Sequence, residues 1–278
     1  MDLNETVTQM LLQSIGLSDR QSNVKSLDQN DLNNLLRLFS KWRSALLQNT
    51  FLQNGGSAVR SGIFAGMDMG PNAAEGCYVP KLLGTYEQPI QNSIQDLSST
   101  DYQNIVNIGC AEGYYAVGLA GVFKDAPIHA YDINPAALET CRKLAVINQV
   151  SDRIQLAPEF KPASFEDFSR QRVFYFVDIE GAEAALFSPG ALAHLEHSDL
   201  IVECHSVGPN SITETLFGLF RQTHDVKIVF DNGMRTLENM PEWFFNLAHL
   251  DQLLSVWEWR SSPTPWIVAS AKKQSRTG

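Results

Sequence analysis

The sequence predicts an α/β fold: a seven-stranded, mostly parallel sheet with helices on both faces and a helical extension at the N-terminus. Three observations lead there. Beyond residue 84, short β-rich apolar runs alternate with stretches of helical period. The first run, from Ile105 to Ile108, passes through a glycine-containing turn into an Ala/Gly-rich helix. The second run closes on an acid, Asp132, about twenty residues further on, which makes the outline Rossmann-like.

The elements follow in order. Leu3, Val7, Met10, Leu11 and Ile15 recur at helical spacing, with Gly16 as a stop. Ser26 and Gln29 have the spacing of a capping box, and Leu32, Leu35, Leu36, Phe39, Trp42 and Leu46 then make one apolar face. Residues 1–55 are therefore read as a helical cap, expected either to cover the cleft or to form a homodimer contact. Residues 56–84, where the helical period fails and Gly, Pro and Asn accumulate, read as a connecting segment with one hairpin. Residues 85–272 form the main domain. Its candidate strands are 105–108, 128–131, 154–156, 173–177, 200–203, 226–230 and 266–269, and its candidate helices are 114–123, 135–148, 189–195, 212–223 and 242–256. Ligands in such sheets bind beyond the carboxyl ends of the strands, where the strand order reverses, so the residues that end strands are the candidates for chemistry.

Composition sets the class. With 278 residues, 44 % apolar and 19 % charged, the chain can bury a sizeable core and is not a disordered or disulfide-dense scaffold. Its 21 basic and 31 acidic residues leave a net charge of −10, which argues against a protein held mainly on nucleic-acid phosphates. Cys77, Cys110, Cys141 and Cys204 are scattered without a C-x-x-C pair, as reduced thiols of a cytoplasmic protein would be. The acidic start carries no signal-peptide pattern, and the most apolar run, 114–123, is too short to span a bilayer. The expectation is a soluble cytoplasmic protein with a small-molecule partner and neither nucleic acid nor membrane.

The segment from Asn107 to Tyr115, Asn-Ile-Gly-Cys-Ala-Glu-Gly-Tyr-Tyr, is the most informative. Gly109 and Gly113 remove side chains where a ligand would approach the backbone, and Asp132, followed by Ile133, can accept both hydroxyls of a ribose. A dinucleotide wants G-x-G-x-x-G and a helix N-terminus facing pyrophosphate. Here Ala111 replaces the second glycine and Glu112 would set a negative charge beside that phosphate. S-adenosylmethionine has a sulfonium and an ammonium and no phosphate, so it tolerates the acid. A turn that serves only tight strand–helix packing is the remaining reading.

The same run resembles motif I of class I methyltransferases, in the variant of FkbM-like enzymes. Three further segments are similar to that family: Gly84-Thr-Tyr-Glu87, Val177-Asp-Ile-Glu-Gly-Ala-Glu183 and Ile201-Val-Glu-Cys-His205. Together they cover residues 84–205 in the right order. The resemblance implies that Gly109, Glu112, Gly113 and Asp132 hold S-adenosylmethionine, supported by Ile133, Asp178, Asn107 and Glu87. Asn107 stands where the family has an acid, so it offers the methionine ammonium an uncharged acceptor.

Asp178 closes an aromatic strand, and a carboxylate there is costly unless paired. Glu203 and His205 end the next, neighbouring strand, on one face by period-two alternation, so all three are expected in one cleft. Methyl transfer to a hydroxyl needs alignment and removal of a proton. His205 suits a base near neutrality, with Asp178 or Glu203 orienting it; alternatively the carboxylates share a divalent metal ion that acidifies the hydroxyl. The sequence leaves both open. Glu180 and Glu183 read as acids decorating the next helix. Trp257 and Trp259 alternate with Glu258 and end at Arg260, either as core or as a pocket wall. The expected activity is O-methylation of a sugar or secondary metabolite; the alternative is a cofactor-binding or scaffold protein that keeps the fold without catalysis.

Overall fold

The computed structural model describes residues 3–14, 27–70, 77–205, 211–260, 262 and 264–272. Its seven strands are β1 (Asn104–Ile108), β2 (Ile128–Tyr131), β3 (Ile154–Ala157), β4 (Val173–Val177), β5 (Asp199–Glu203), β6 (His224–Val229) and β7 (Trp266–Ala271). They form one sheet in the order β3-β2-β1-β4-β5-β7-β6, parallel except for β7, which runs antiparallel to both β5 and β6. This is the Rossmann-like sheet the sequence predicts. Strand order reverses between β1 and β4, where Ile108 is level with Tyr131 on one side and Val177 on the other.

Alternation along the strands divides the core between two faces. Ile105, Phe174, Phe176, Ile201 and Trp266 pack one way, and Val106, Ile108, Tyr175, Val177 and Val202 the other. Helices cover both faces, so β4 is buried at all five positions and its sequence is continuously apolar.

The helices are α1 (Leu3–Ser14), α2 (Gln29–Gly55), α3 (Tyr78–Leu83), α4 (Gln88–Leu97), α5 (Tyr114–Val122), α6 (Pro135–Ile147), α7 (Glu183–Leu186), α8 (Ile212–Phe220), α9 (Glu242–Phe245) and α10 (His249–Ser255). Several differ from the sequence expectation. Helix α2 is capped by Asp28, whose side chain accepts from the Asp31 N–H at 2.8 Å, so Gln29 is its first helical residue and not part of a capping box. Ile15, Gly16 and Ser26 lie outside the described residues. The apolar stripe of α2 is largely exposed at Leu36, Phe39, Trp42 and Leu46; the helix instead buries Ser44, Leu47 and Phe51. Arg43 clamps it to α10 through both oxygens of Asp251, at 2.7 and 2.6 Å.

The stretch 242–256 is two short helices rather than one, because the chain turns extended at Ala248. Residues 189–195 hold only a 3-10 turn, Ala191–His194. The segment 56–84 contains a hairpin-like pairing of Ala58 with Asp68 and the whole of α3, and Val59, Phe64, Met69 and Leu82 join the main core. Among the described residues no helix is long and apolar enough to cross a membrane.

Candidate active site

The β1–α5 turn is built by backbone economy. Gly109 and Cys110 both donate to the Tyr131 carbonyl, at 2.8 and 2.9 Å, which ties the turn to the end of β2. Gly109 has φ +80°, and a Cβ there would stand 1.6 Å from the Asp178 carbonyl oxygen. Gly113 has φ +98°, and its Cβ would meet the Cys141 sulfur at 2.6 Å. Both glycines are thus demanded by internal packing, not first by ligand approach as the sequence suggested.

Ala111, itself at φ +44°, donates its N–H to Asp132 Oδ2 at 2.9 Å, while Oδ1 accepts from Asn134 N–H at 2.8 Å. Asp132 is therefore fixed, with lone pairs left for a ligand. Above this turn lies a cavity of about 460 Å³ lined by Gly109, Ala111, Asp132, Ile133, Asp178 and other residues at the carboxyl ends of β1 to β4. Among the described residues its wall carries four carboxylates, Asp132, Glu159, Asp178 and Glu180, and no lysine or arginine. A cavity of 480 Å³ beside α5, between Phe64 and Gly118, has no ionisable lining.

The remaining predicted cofactor residues stand behind this wall. Asn107 is fully buried; its Nδ2 lies 3.4 Å from the Phe176 carbonyl, and its Oδ1 has no hydrogen-bond partner among the described residues. Glu112 is ion-paired with Lys81, whose ammonium lies 4.9 Å from the Tyr86 ring centre and 5.5 Å from that of Tyr114. The charge that argued against pyrophosphate is thus neutralised locally. Glu87, in the left-handed region at φ +48° and 1 % exposed, accepts from the Tyr115 hydroxyl and pairs with Arg260. Burial and the nearby charge of Glu203 push its carboxyl up to about 8, against the pull of Arg260.

Strands β4 and β5 bring Asp178, Glu203 and His205 together, with one donor atom of each within 4.8 Å of the others. His205 Nε2 is 3.9 Å from Asp178 Oδ1, 3.7 Å from Glu203 Oε2 and 3.4 Å from Glu180 Oε2. Its orienting partner is Glu183, not Asp178 or Glu203: Glu183 Oε1 lies 2.9 Å from Nδ1 on a side chain with no exposure. Burial opposes the imidazolium, but the bond to Glu183 and the charges of Glu203 and Glu180 outweigh it and raise the His205 pKa above its usual 6.5. Burial, then the Glu203 charge, raises Asp178 well above the ordinary carboxylate range.

Glu203 is held from behind. Arg260 and the Thr264 hydroxyl both donate to its Oε1. Arg260 also pairs with Glu87 and with Glu258, the latter at 3.1 Å, and Arg235 bridges Glu258 to Asp231. Trp257 lines a cavity of about 360 Å³ beside this network, whereas Trp259 is half-buried at φ +62°.

Glu183 and Arg235 were not singled out for the site by sequence reasoning, and Glu258 and Arg260 entered it only beside Trp257 and Trp259 as core or a pocket wall. For Glu183 no signal existed, because an acid that opens a helix 22 residues before His205 looks like any other helix-start acid. For the arginines there was none either: Arg260 lies 57 residues beyond Glu203, and Arg235 reaches the site only through Glu258.

No protein-family model matches the chain. A stretch of 54 residues is 43 % identical to the release factor glutamine methyltransferase of Dictyoglomus turgidum, spanning 19 % of this chain and 19 % of that protein. A stretch of 50 residues is 44 % identical to the release factor glutamine methyltransferase of a Synechocystis species, spanning 18 % of this chain and 17 % of that one. Among solved structures, the chain is similar to a precorrin-6y C5,15-methyltransferase from Geobacter metallireducens, with 15 % identity, TM-score 0.43 and coverage of 66 % of this chain and 89 % of that one. It is also similar to a putative O-methyltransferase from Klebsiella pneumoniae, with 12 % identity, TM-score 0.45 and coverage of 68 % and 80 %. Likeness at this level leaves the strand order as the basis for the fold.

Proposed function

We propose that the chain is a cytoplasmic S-adenosylmethionine-dependent methyltransferase of the FkbM-like type, acting on a hydroxyl of a small molecule such as a sugar or secondary metabolite. One observation carries the reading. The cavity at the β1–β4 switch point is walled by four carboxylates with no basic side chain, and through Asp178 it runs into the His205 cluster. Such a wall suits a sulfonium and an ammonium and repels a pyrophosphate. The buried, unbonded oxygen Asn107 Oδ1 fits the same cationic ligand.

Asp132 and Ile133 would take the nucleoside end, and the Gly109–Ala111 turn would form the floor. Glu87, Asn107, Glu112 and Gly113 support that floor from behind. When bound, S-adenosylmethionine supplies a methyl group on a positively charged sulfur that leaves readily. The chain's own task is to align the acceptor hydroxyl and lower the cost of removing its proton. Asp178, Glu203 and His205 carry that task, with Glu183 holding the imidazole. The local likeness to release factor glutamine methyltransferases supports the transferase reading without specifying the acceptor.

Calorimetry with S-adenosylmethionine and S-adenosylhomocysteine tests this. Micromolar binding of both is the expected result, and no heat for either overturns it. Binding without turnover across a broad screen of hydroxyl acceptors would favour the cofactor-binding alternative.

A further inference from the structure

We propose that Asp178, Glu203 and His205 form a binding site for one divalent cation of the manganese type, with Glu183 as the residue that positions the imidazole. Four features converge on it. The Nε2 atom is 3.9 Å from Asp178 Oδ1 and 3.7 Å from Glu203 Oε2. These separations exceed a hydrogen bond, yet they match two donors placed about 2.1 Å from a shared ion, which lie roughly 3–4 Å apart. Next, Nδ1 is committed to Glu183 Oε1 at 2.9 Å, on a fully buried side chain whose Oε2 has no partner among the described residues. A carboxylate on one ring nitrogen turns the lone pair of the other outward, the arrangement that supports histidine ligands in metal sites.

Third, three carboxylate oxygens stand around Nε2: Asp178 Oδ1, Glu203 Oε2 and Glu180 Oε2. Asp178 Oδ1 is buried and accepts no hydrogen bond among the described residues. Arg260 is spent on the opposite Glu203 oxygen, Oε1, so Oε2 faces His205 Nε2 at 3.7 Å. Lone pairs converging in a buried space repel unless a positive charge sits among them. Finally, the solvent side is closed by Glu180, with Oε2 3.4 Å from Nε2 on a side chain that is 84 % exposed. It is free to swing in as a fourth donor or to give way to an acceptor.

Two carboxylates and one imidazole are a mixed oxygen and nitrogen set, which suits Mn²⁺ or a neighbouring first-row ion better than Ca²⁺. The role of the site rests on the methyl-transfer reading above. A hydroxyl that replaces water on such an ion loses its proton more easily, and the proton passes to solvent. His205 is then a ligand, and no separate base is required.

Binding can be tested without cofactor or acceptor. The full-length chain, freed of metal by chelation, is titrated with Mn²⁺ and followed by the loss of the free-ion electron paramagnetic resonance signal. One saturable site is expected. It should weaken at least tenfold in His205→Ala and Asp178→Asn, about ten- to a hundredfold in Glu183→Gln, and not at all in Glu139→Gln on the exposed face of α6. If a variant does not fold, the wild-type chain still decides: Mn²⁺ should broaden the ring-proton resonances of His205 before those of His194 or His249. Absence of a saturable site, or a site indifferent to His205 and Asp178, overturns the proposal and leaves a protonated imidazole among the acids. Mn²⁺ binding without S-adenosylhomocysteine binding would keep the metal site and defeat the transferase. The reverse pair of results would do the opposite.

Discussion

The two halves of the cleft are built on different physics. At the ends of β1 and β2 the side chains are few and the backbone does the work: two glycines at positive φ, paired amides on the Tyr131 carbonyl, and one carboxylate fixed by two N–H groups. At the ends of β4 and β5 the site is a crowd of ionisable groups in which Asp178, Glu203 and Glu87 compete for Arg260, His205 and each other. The first half is largely local, since the hydrogen bonds that fix it run between residues 109 and 134. The second draws on segments around residues 87, 180, 204, 233 and 260, and none of its members is stable there without the others. A site of the first kind sets shape and recognition; one of the second kind sets protonation and reactivity.

Substitutions can break that contrast. His205→Ala should cause the largest loss, about 10²- to 10⁴-fold in turnover, with affinity for S-adenosylhomocysteine changed less than about twofold. An affinity that falls in step with turnover would mean the halves are not separable. Arg260→Met leaves Glu87 and Glu203 facing each other in a buried space, and should cost on the order of 3–5 kcal/mol in denaturant unfolding. Asp132→Ala is the complementary test. It should weaken cofactor binding by about 1.5–3 kcal/mol, roughly ten- to a hundredfold, and leave turnover at saturation nearly unchanged.

The smallest effect concerns pH. Because the Glu87 carboxyl is pushed up to about 8 in the folded chain, the native state binds more protons than the unfolded one between its ordinary value and that pH. Glu87 therefore favours folding at low pH, and this contribution is lost as pH rises through about 8. Glu87→Gln should flatten the decline of Tm over that window, and an unchanged slope would show that Arg260 holds Glu87 ionised throughout.

The same contrast explains what was legible in advance. The central strands were visible because a strand buried on both faces needs an unbroken apolar run, as in Val173–Val177, and the β1–α5 turn was visible through its two glycines at positive φ. Asp178, Glu203 and His205 were legible as strand-end residues. Glu183 was set aside as helix decoration, since nothing in its spacing distinguishes an acid at a helix start from one that reaches back to a histidine. The burial of Glu112 on Lys81 was equally hidden, because Lys81 belongs to a helix that a Gly- and Pro-rich stretch conceals. The exposed stripe of α2 shows the converse error, as helical period reports an apolar face without reporting what covers it.

By itself, the sequence determined the layers, the switch-point turn and the acids that end the strands, because these follow from local periodicity and backbone sterics. Only the tertiary structure decided which charge meets which. It gave Glu183 to His205, Lys81 to Glu112 and Arg260 to both Glu87 and Glu203. Pairing of buried charges depends on distances across the fold of a few ångströms, and no pattern along the chain encodes them.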